Sequence, residues 1–267
     1  MGRRGLQVSP ICLGITDSPA TVEAAFEAGV NFFFISADLH WPLYEATRRG
    51  LERLLKGNRK RRDEIVVGIA SYFEEPWFGY LQFWEVIDAI PALERVDLLI
   101  AGGVTNDLSF DERTATLRRA RAMQYLGARS IGASLHKRKL ALLAQNRGLD
   151  ISYIRYNAAH PGARSEVLSS LPQKRRTLLF NFKSVLPVVS TASPAKFAKL
   201  RRSMIPAPTD HYRFALSAPE IDGILCSPRT PLQVFRLLRA LEKGPMSRDE
   251  QDYMLQIYSQ AEITKHS

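Results

Sequence analysis

Cysteine is nearly absent. The 267 residues hold two, Cys12 and Cys226, both inside apolar runs. That scarcity excludes a disulfide framework and points to a reducing, cytoplasmic setting. Long apolar runs are also missing, so no transmembrane span is expected. The opening MGRRGLQVSPICLGI lacks the apolar stretch of a secretory signal, and Pro10 interrupts it. Leu6 stands where a myristoylation signal needs Ser or Thr. Acidic residues are outnumbered, 27 against 37 Lys and Arg, for a net charge of +10. This excess favours anionic partners. The basic residues are scattered and not interleaved with aromatics, so neither a nucleic-acid platform nor a membrane surface is expected. A small anionic metabolite is the expected ligand. No linker, low-complexity tract or repeat beyond the βα unit is visible.

What is present is a rhythm. Eight short apolar runs occupy 11–16, 31–36, 64–71, 96–102, 129–134, 151–157, 177–183 and 221–227. Each is apolar on both faces, as parallel strands covered by helices should be. Helical patterns fill the gaps. Ser18-Pro19 opens the first and Gly29 ends it; Ser109 opens another before Asp111-Glu112, and Gly127 closes it. Gly148 ends the fifth, and Pro231 opens one that Gly244 stops. Trp84 is assigned to the buried face of its helix. Eight strand–helix units predict an α/β fold of the (β/α)8 TIM barrel type, one domain over 1–267. Segment 2–9 is expected to plug the barrel floor, and 246–262 to form a C-terminal helix.

In such a barrel, function sits on the loops after the strands. The runs Lys56–Arg62 and Lys174–Arg176 precede strands and fall on the bottom face. The run His136–Lys139 and Arg229 follow strands and fall on the top face, where Lys137 and Arg229 can hold an anion, or Lys137–Lys139 can point to water.

Seven pieces in order resemble the aldo-keto reductase family. They are GRRGLQVSPICLGI, EAGVNFFFISADLH, RRDEIVVGIA, RVDLLIAGG, GARSIGASL, IRYNAAH and ILCSPRTPLQV. The resemblance implies a barrel that reduces carbonyls with NADPH through an Asp, a Tyr, a Lys and a His. Carried over position by position, the Asp falls on Ile35, the Tyr on His40, the Lys on Ala70 or Ser71, and the His on Gly102. All four are replaced. A phenol titrating near 10 needs a neighbouring cation to release its proton, and Ala70 and Gly102 supply none. The resemblance further places the cofactor on Ser134, Phe180, Arg229 and Gln233, with Phe180 against the nicotinamide. Four positions depart from the family's pattern there: Leu135 replaces an amide beside Ser134, Tyr153 aligns with the family's amide acceptor for the carboxamide, Ser227 replaces a glycine and Leu237 an Asn that reads adenine, so the use of NADP(H) is left open.

His40 holds the proton-donor position and can act as acid or base, or cap the helix that follows. Asp38 can orient it or cap the same helix. Lys183 can face the barrel mouth as a base or face water. Asn157 and Tyr156 can bind substrate or brace their loop, and Trp41, Trp77 and Phe78 can wall a pocket. No ligand spacing for a metal is present. Three functions follow: an acid–base lyase, isomerase or cyclase working through His40; a remodelled NADPH oxidoreductase; or a silent barrel that binds a protein partner.

Overall fold

The computed structural model describes all residues except 1–4, 37, 76–78, 173, 175–176, 186–204 and 264–267; side chains at 39, 79–80 and 260–263 are also left out. Every expected apolar run overlaps a strand. These are β1 (Ile11–Leu13), β2 (Phe32–Ser36), β3 (Val66–Ser71), β4 (Leu98–Val104), β5 (Ser130–Leu135), β6 (Ile151–Arg155), β7 (Leu178–Phe182) and β8 (Gly223–Cys226). They pair in parallel and in sequence order, and β8 closes on β1 through Leu13 and Cys226. The buried patterns of the strands match a sheet covered on both faces.

The covering helices are α1 (Pro19–Glu27), α2 (Glu45–Leu55), α3 (Arg59–Glu64), α4 (Gly79–Ala89), α5 (Asp107–Ala122), α6 (Leu140–Arg147), α7 (Ala163–Glu166), α8 (Pro208–Leu216), α9 (Pro231–Leu241) and α10 (Arg248–Ile263). Ser18 caps α1 before Pro19, and Gly148 ends α6 in the left-handed conformation. The start of α5 differs from expectation. Asn106 is the cap, its side chain accepting from the Ser109 amide at 2.9 Å, because an Asx side chain reaches an amide three residues on. That helix also stops at Ala122, before Gly127. Trp84 lies on the solvent face of α4, 56% exposed, with Phe83 and Val86 turned inward instead.

The floor of the barrel contains a repeat that the βα rhythm conceals. Each even strand is preceded by an Asx residue after an apolar one: Val30-Asn31, Val96-Asp97, Leu149-Asp150 and Ile221-Asp222. Each Asx accepts from an amide at or just before the preceding odd strand: Asn31 from Ser9 (2.7 Å), Asp97 from Val67 (2.9 Å), Asp150 from Ile131 (2.8 Å) and Asp222 from Leu179 (2.7 Å). Amides at strand starts would otherwise face the floor unpaired. Asn31 also donates to the Gln7 carbonyl, and Leu6 is buried, so residues 5–9 lie against the floor. Arg62 is not on the surface with the rest of its basic run. Its side chain is buried and donates to the carbonyls of Leu93, Ile65 and Arg95 and to Asp97. A buried guanidinium is tolerated only when its donors are satisfied in this way.

The barrel interior is aromatic. Phe32 and Phe180 meet edge to face at 5.5 Å, and Tyr153 packs on Phe34 at 5.7 Å and on Phe180 at 5.9 Å.

Candidate functional site

At the top of the barrel, β2 runs into a short 3-10 segment, Asp38–Tyr44. Asp38 sits in the left-handed region, φ 72°, which short polar side chains tolerate. Its carboxylate organises the rim. One oxygen accepts from the His40 amide at 3.2 Å and lies 3.0 Å from His40 Nδ1; the other accepts from the Tyr72 amide at 2.8 Å. Asp38 is 3% exposed and His40 is 44% exposed, so the acid is hidden and the imidazole is presented.

Tyr72 follows β3 directly. Its ring lies 4.4 Å from that of His40 and covers the glycine pair of β4. A Cβ on Gly102 would stand 2.8 Å from the Tyr72 ring, and one on Gly103 3.0 Å from it. The Tyr72 phenol is pushed up by burial and by Asp38, with Arg113 and a hydrogen bond with Ser134 acting the other way. Arg113, buried behind the rim, donates to the Ser71 carbonyl at 2.7 Å. Tyr44 completes the group; burial, then Tyr72, Cys12 and Asp38, push its phenol well above the usual range.

These groups open onto a cleft of about 1230 Å³ that crosses the barrel mouth to α9. Its described lining includes His40, Tyr44, Tyr72, Ser134, His136 and Phe182 at one end and Arg229, Arg236, Arg239 and Lys243 at the other, with Lys183 between. No Asp or Glu is among the described lining residues. His136 stacks on Phe182 at 6.0 Å; burial, then Lys183 and Arg155, hold its imidazole below the ordinary range. Among the described residues, no three metal-binding side chains come together.

The structure gathers some of the expected residues and separates others. His40, Lys183, Ser134, Arg229 and Gln233 line the cleft. Asp38 stands behind His40. Lys183 is held at φ 55° while its carbonyl accepts from Asn157 at 2.8 Å, so Asn157 braces the β7 end from below the surface. Tyr156 is buried outside the cleft, on Phe214, with its hydroxyl accepting from Arg164 at 2.6 Å. Trp41 lies under the Arg48 guanidinium, 3.4 Å from the ring centre, and is not among the lining residues. Lys137 is exposed beside the Arg138–Glu166 ion pair and is likewise outside the lining. Trp77 and Phe78 lie outside the described residues.

Phe180 is not among the described lining residues. It sits inside the barrel against Phe32 and Tyr153, and the β7 aromatic in the cleft is Phe182, two residues on. Strand alternation keeps both on the inner face, and only the later one reaches the mouth. Ile35 is buried and absent from the described cleft lining, while Phe34 beside it faces inward. Tyrosine is not missing from the cleft: Tyr44 and Tyr72 reach it from positions that matching one residue at a time passes over. The signal for Tyr72 was its place immediately after an apolar strand, opposite a Gly-Gly pair.

No family model matches the chain, and no curated protein matches it. Solved structures do. An aldo-keto reductase from Bacillus halodurans, in its holo form, superposes with a TM-score of 0.72 at 14% identity, covering 96% of this chain and 94% of that one. Aldose reductase from Giardia lamblia gives 0.69 at 13% identity over 96% and 94%. An aldo-keto reductase from a Medee basin deep-sea metagenome library gives 0.67 at 13% identity over 96% and 93%. The fold is therefore that of the aldo-keto reductases, and at such identity the likeness extends to the fold alone. Among the described residues no helix is long and apolar enough to cross a membrane.

Proposed function

We propose that this chain, an aldo-keto reductase by fold, performs acid–base rather than hydride-transfer chemistry on a small anionic metabolite, with His40 as the proton carrier. The observation that carries the reading is the Asp38–His40 pair at the edge of a cleft whose described lining has five Lys or Arg side chains and no carboxylate. With Nδ1–H given to Asp38, the tautomer is set and Nε2 is the nitrogen that exchanges the proton, on a side chain 44% exposed. A cleft of one sign draws in and orients a ligand of the other. Lys183 and His136 line the same cleft and are the candidate partners for a second proton transfer. A lyase, isomerase or cyclase needs no more than this. The two free, buried cysteines accord with a reducing cytoplasm.

The test is a comparison of wild type with His40→Gln. Each is incubated with a fractionated pool of anionic metabolites and followed by ion chromatography with mass detection. Wild type is expected to convert at least one component that the variant leaves intact. Identical profiles overturn the reading and favour the silent barrel.

NADPH-dependent oxidoreduction is the second reading. It is supported by Ser134, Phe182, Arg229 and Gln233 in one cleft with further cations. NADPH, when bound, supplies a hydride; Arg229, Gln233 and the α9 cations would hold its phosphates and Ser134 its carboxamide.

A further inference from the structure

The two ends of the cleft do not fit a dinucleotide equally. The residue aligned with the family's carboxamide acceptor is Tyr153, which is fully buried in the barrel between Phe34 and Phe180. Phe180, aligned with the ring-stacking aromatic, is buried beside it. The Asn157 side chain is committed to the Lys183 carbonyl and the His160 amide. The floor above β4 is already covered by the Tyr72 ring, with His40 against it. At this end Ser134 keeps its aligned place in the described lining, as Arg229 and Gln233 do farther along the cleft. At the far end, buried Leu237 stands where the family reads adenine. Neither base of the dinucleotide finds the partners that the resemblance assigns to it.

The cations at the far end have a different status. Arg236, Arg239 and Lys243 all line the cleft and are exposed. Their spacing of three and seven residues puts them on one side of α9 and its end, spread over about 10 Å along the axis. Among the described residues none of the three has a carboxylate partner. Arg229, by contrast, is paired with Asp17 at 2.8 Å, and its amide donates to Gln233 at 2.6 Å. Donors with no described carboxylate partner, facing a cleft with no acid in its described lining, are an arrangement that holds phosphate oxygens.

We infer that the cleft takes a phosphorylated small metabolite, its phosphate held by Arg236, Arg239 and Lys243, and offers no seat to a nicotinamide ring. This rests on the anionic-ligand reading above and narrows it. The phosphate lies at the α9 end and the reacting carbon or oxygen lies toward His40.

Calorimetric titration of the full chain tests this with NADPH and with adenosine 2′,5′-bisphosphate, which shares the phosphorylated adenosine but has no nicotinamide. The bisphosphate is expected to bind within about tenfold of NADPH. Arg236→Ser combined with Arg239→Ser is expected to weaken both by about tenfold or more, while Arg59→Ser, an exposed charge near the barrel floor, leaves both unchanged. Circular dichroism confirms that each variant is folded. NADPH binding more than about tenfold tighter than the bisphosphate overturns the inference, because the ring then has a seat. Equal losses in the Arg59 variant, or no binding of either probe at millimolar concentration, overturn it too. A nicotinamide seat would leave the His40→Gln comparison standing; identical metabolite profiles in that comparison would leave the phosphate site standing.

Discussion

The Tyr72 ring occupies the space that any side chain at position 102 would need. Three of its carbons lie within 2.9 Å of the place a Gly102 Cβ would take. The contact links two strands of the barrel at the mouth, because Tyr72 rises from β3 and Gly102 belongs to β4. It also links the barrel wall to the rim, because the Tyr72 amide is bonded to Asp38 and the ring lies against His40. A glycine on a strand is thus the seat of an aromatic side chain from its neighbour.

Gly102→Ala is expected to destabilise the fold by about 1–3 kcal/mol, the usual cost of overpacking. Tyr72→Ala removes the clash, so the double variant should lose less than the two single losses added together. Urea denaturation of the four proteins measures the cycle. Additive losses would mean that the ring does not rest on Gly102.

Asp38→Asn is expected to cost about 1–3 kcal/mol, although Asn tolerates the same left-handed backbone. An amide group has one acceptor oxygen, so it cannot serve the His40 and Tyr72 amides from opposite sides as the carboxylate does. The His40 ring then loses its anchor, and proton nuclear magnetic resonance should show that ring averaging between environments. A single sharp His40 environment in the variant would show that Asp38 does not hold the ring.

The barrel was legible because its strands are apolar on both faces and its helix ends carry ordinary punctuation at Ser18, Pro19, Gly148 and Pro231. Boundaries were less so: Asn106 and Ser109 both suit a cap, and only the backbone path chooses between them. The face taken by Trp84 was not legible, because a lone aromatic in a mixed helix carries little phase information. The site was half legible. His40 and Asp38 are near neighbours, so their pairing follows from local geometry. His136 follows a strand and so belongs to the top face, but nothing in the separate segments says that Tyr72, after β3, and the Arg236–Arg239–Lys243 row, on α9 and just past it, share its cleft. Phe180 and Phe182 are both inward on one strand, and depth along the barrel axis separates them.

The floor repeat predicts a graded series. Asp97→Ala removes the acceptor of the Val67 amide and strands the buried Arg62 guanidinium, so about 3–5 kcal/mol is expected. Asp150→Ala frees the Ile131 amide but leaves Arg121 near solvent, so about 1–3 kcal/mol is expected. Thermal and urea melts rank the two. An Asp150 loss equal to or larger than the Asp97 loss would contradict the weight given to Arg62.

His211 supplies a pH dependence whose sign can be worked out. It is buried under α10, with Nε2 3.2 Å from the Tyr258 hydroxyl. Burial holds its imidazole down at about 4, against 6.5 for the free side chain, and Asp210 opposes only part of this. Between those two values the unfolded chain binds a proton that the folded chain does not. Stability is therefore retained above pH 6.5 and falls as the pH drops toward 4, by roughly 3 kcal/mol from this group. His211→Gln keeps a polar partner for Tyr258 and removes the titration. Its stability should be lower at neutral pH, yet decline less steeply between pH 6.5 and 4. Urea melts across that range compare the two slopes, and parallel curves would mean that His211 is protonated as readily in the folded barrel as in the unfolded chain.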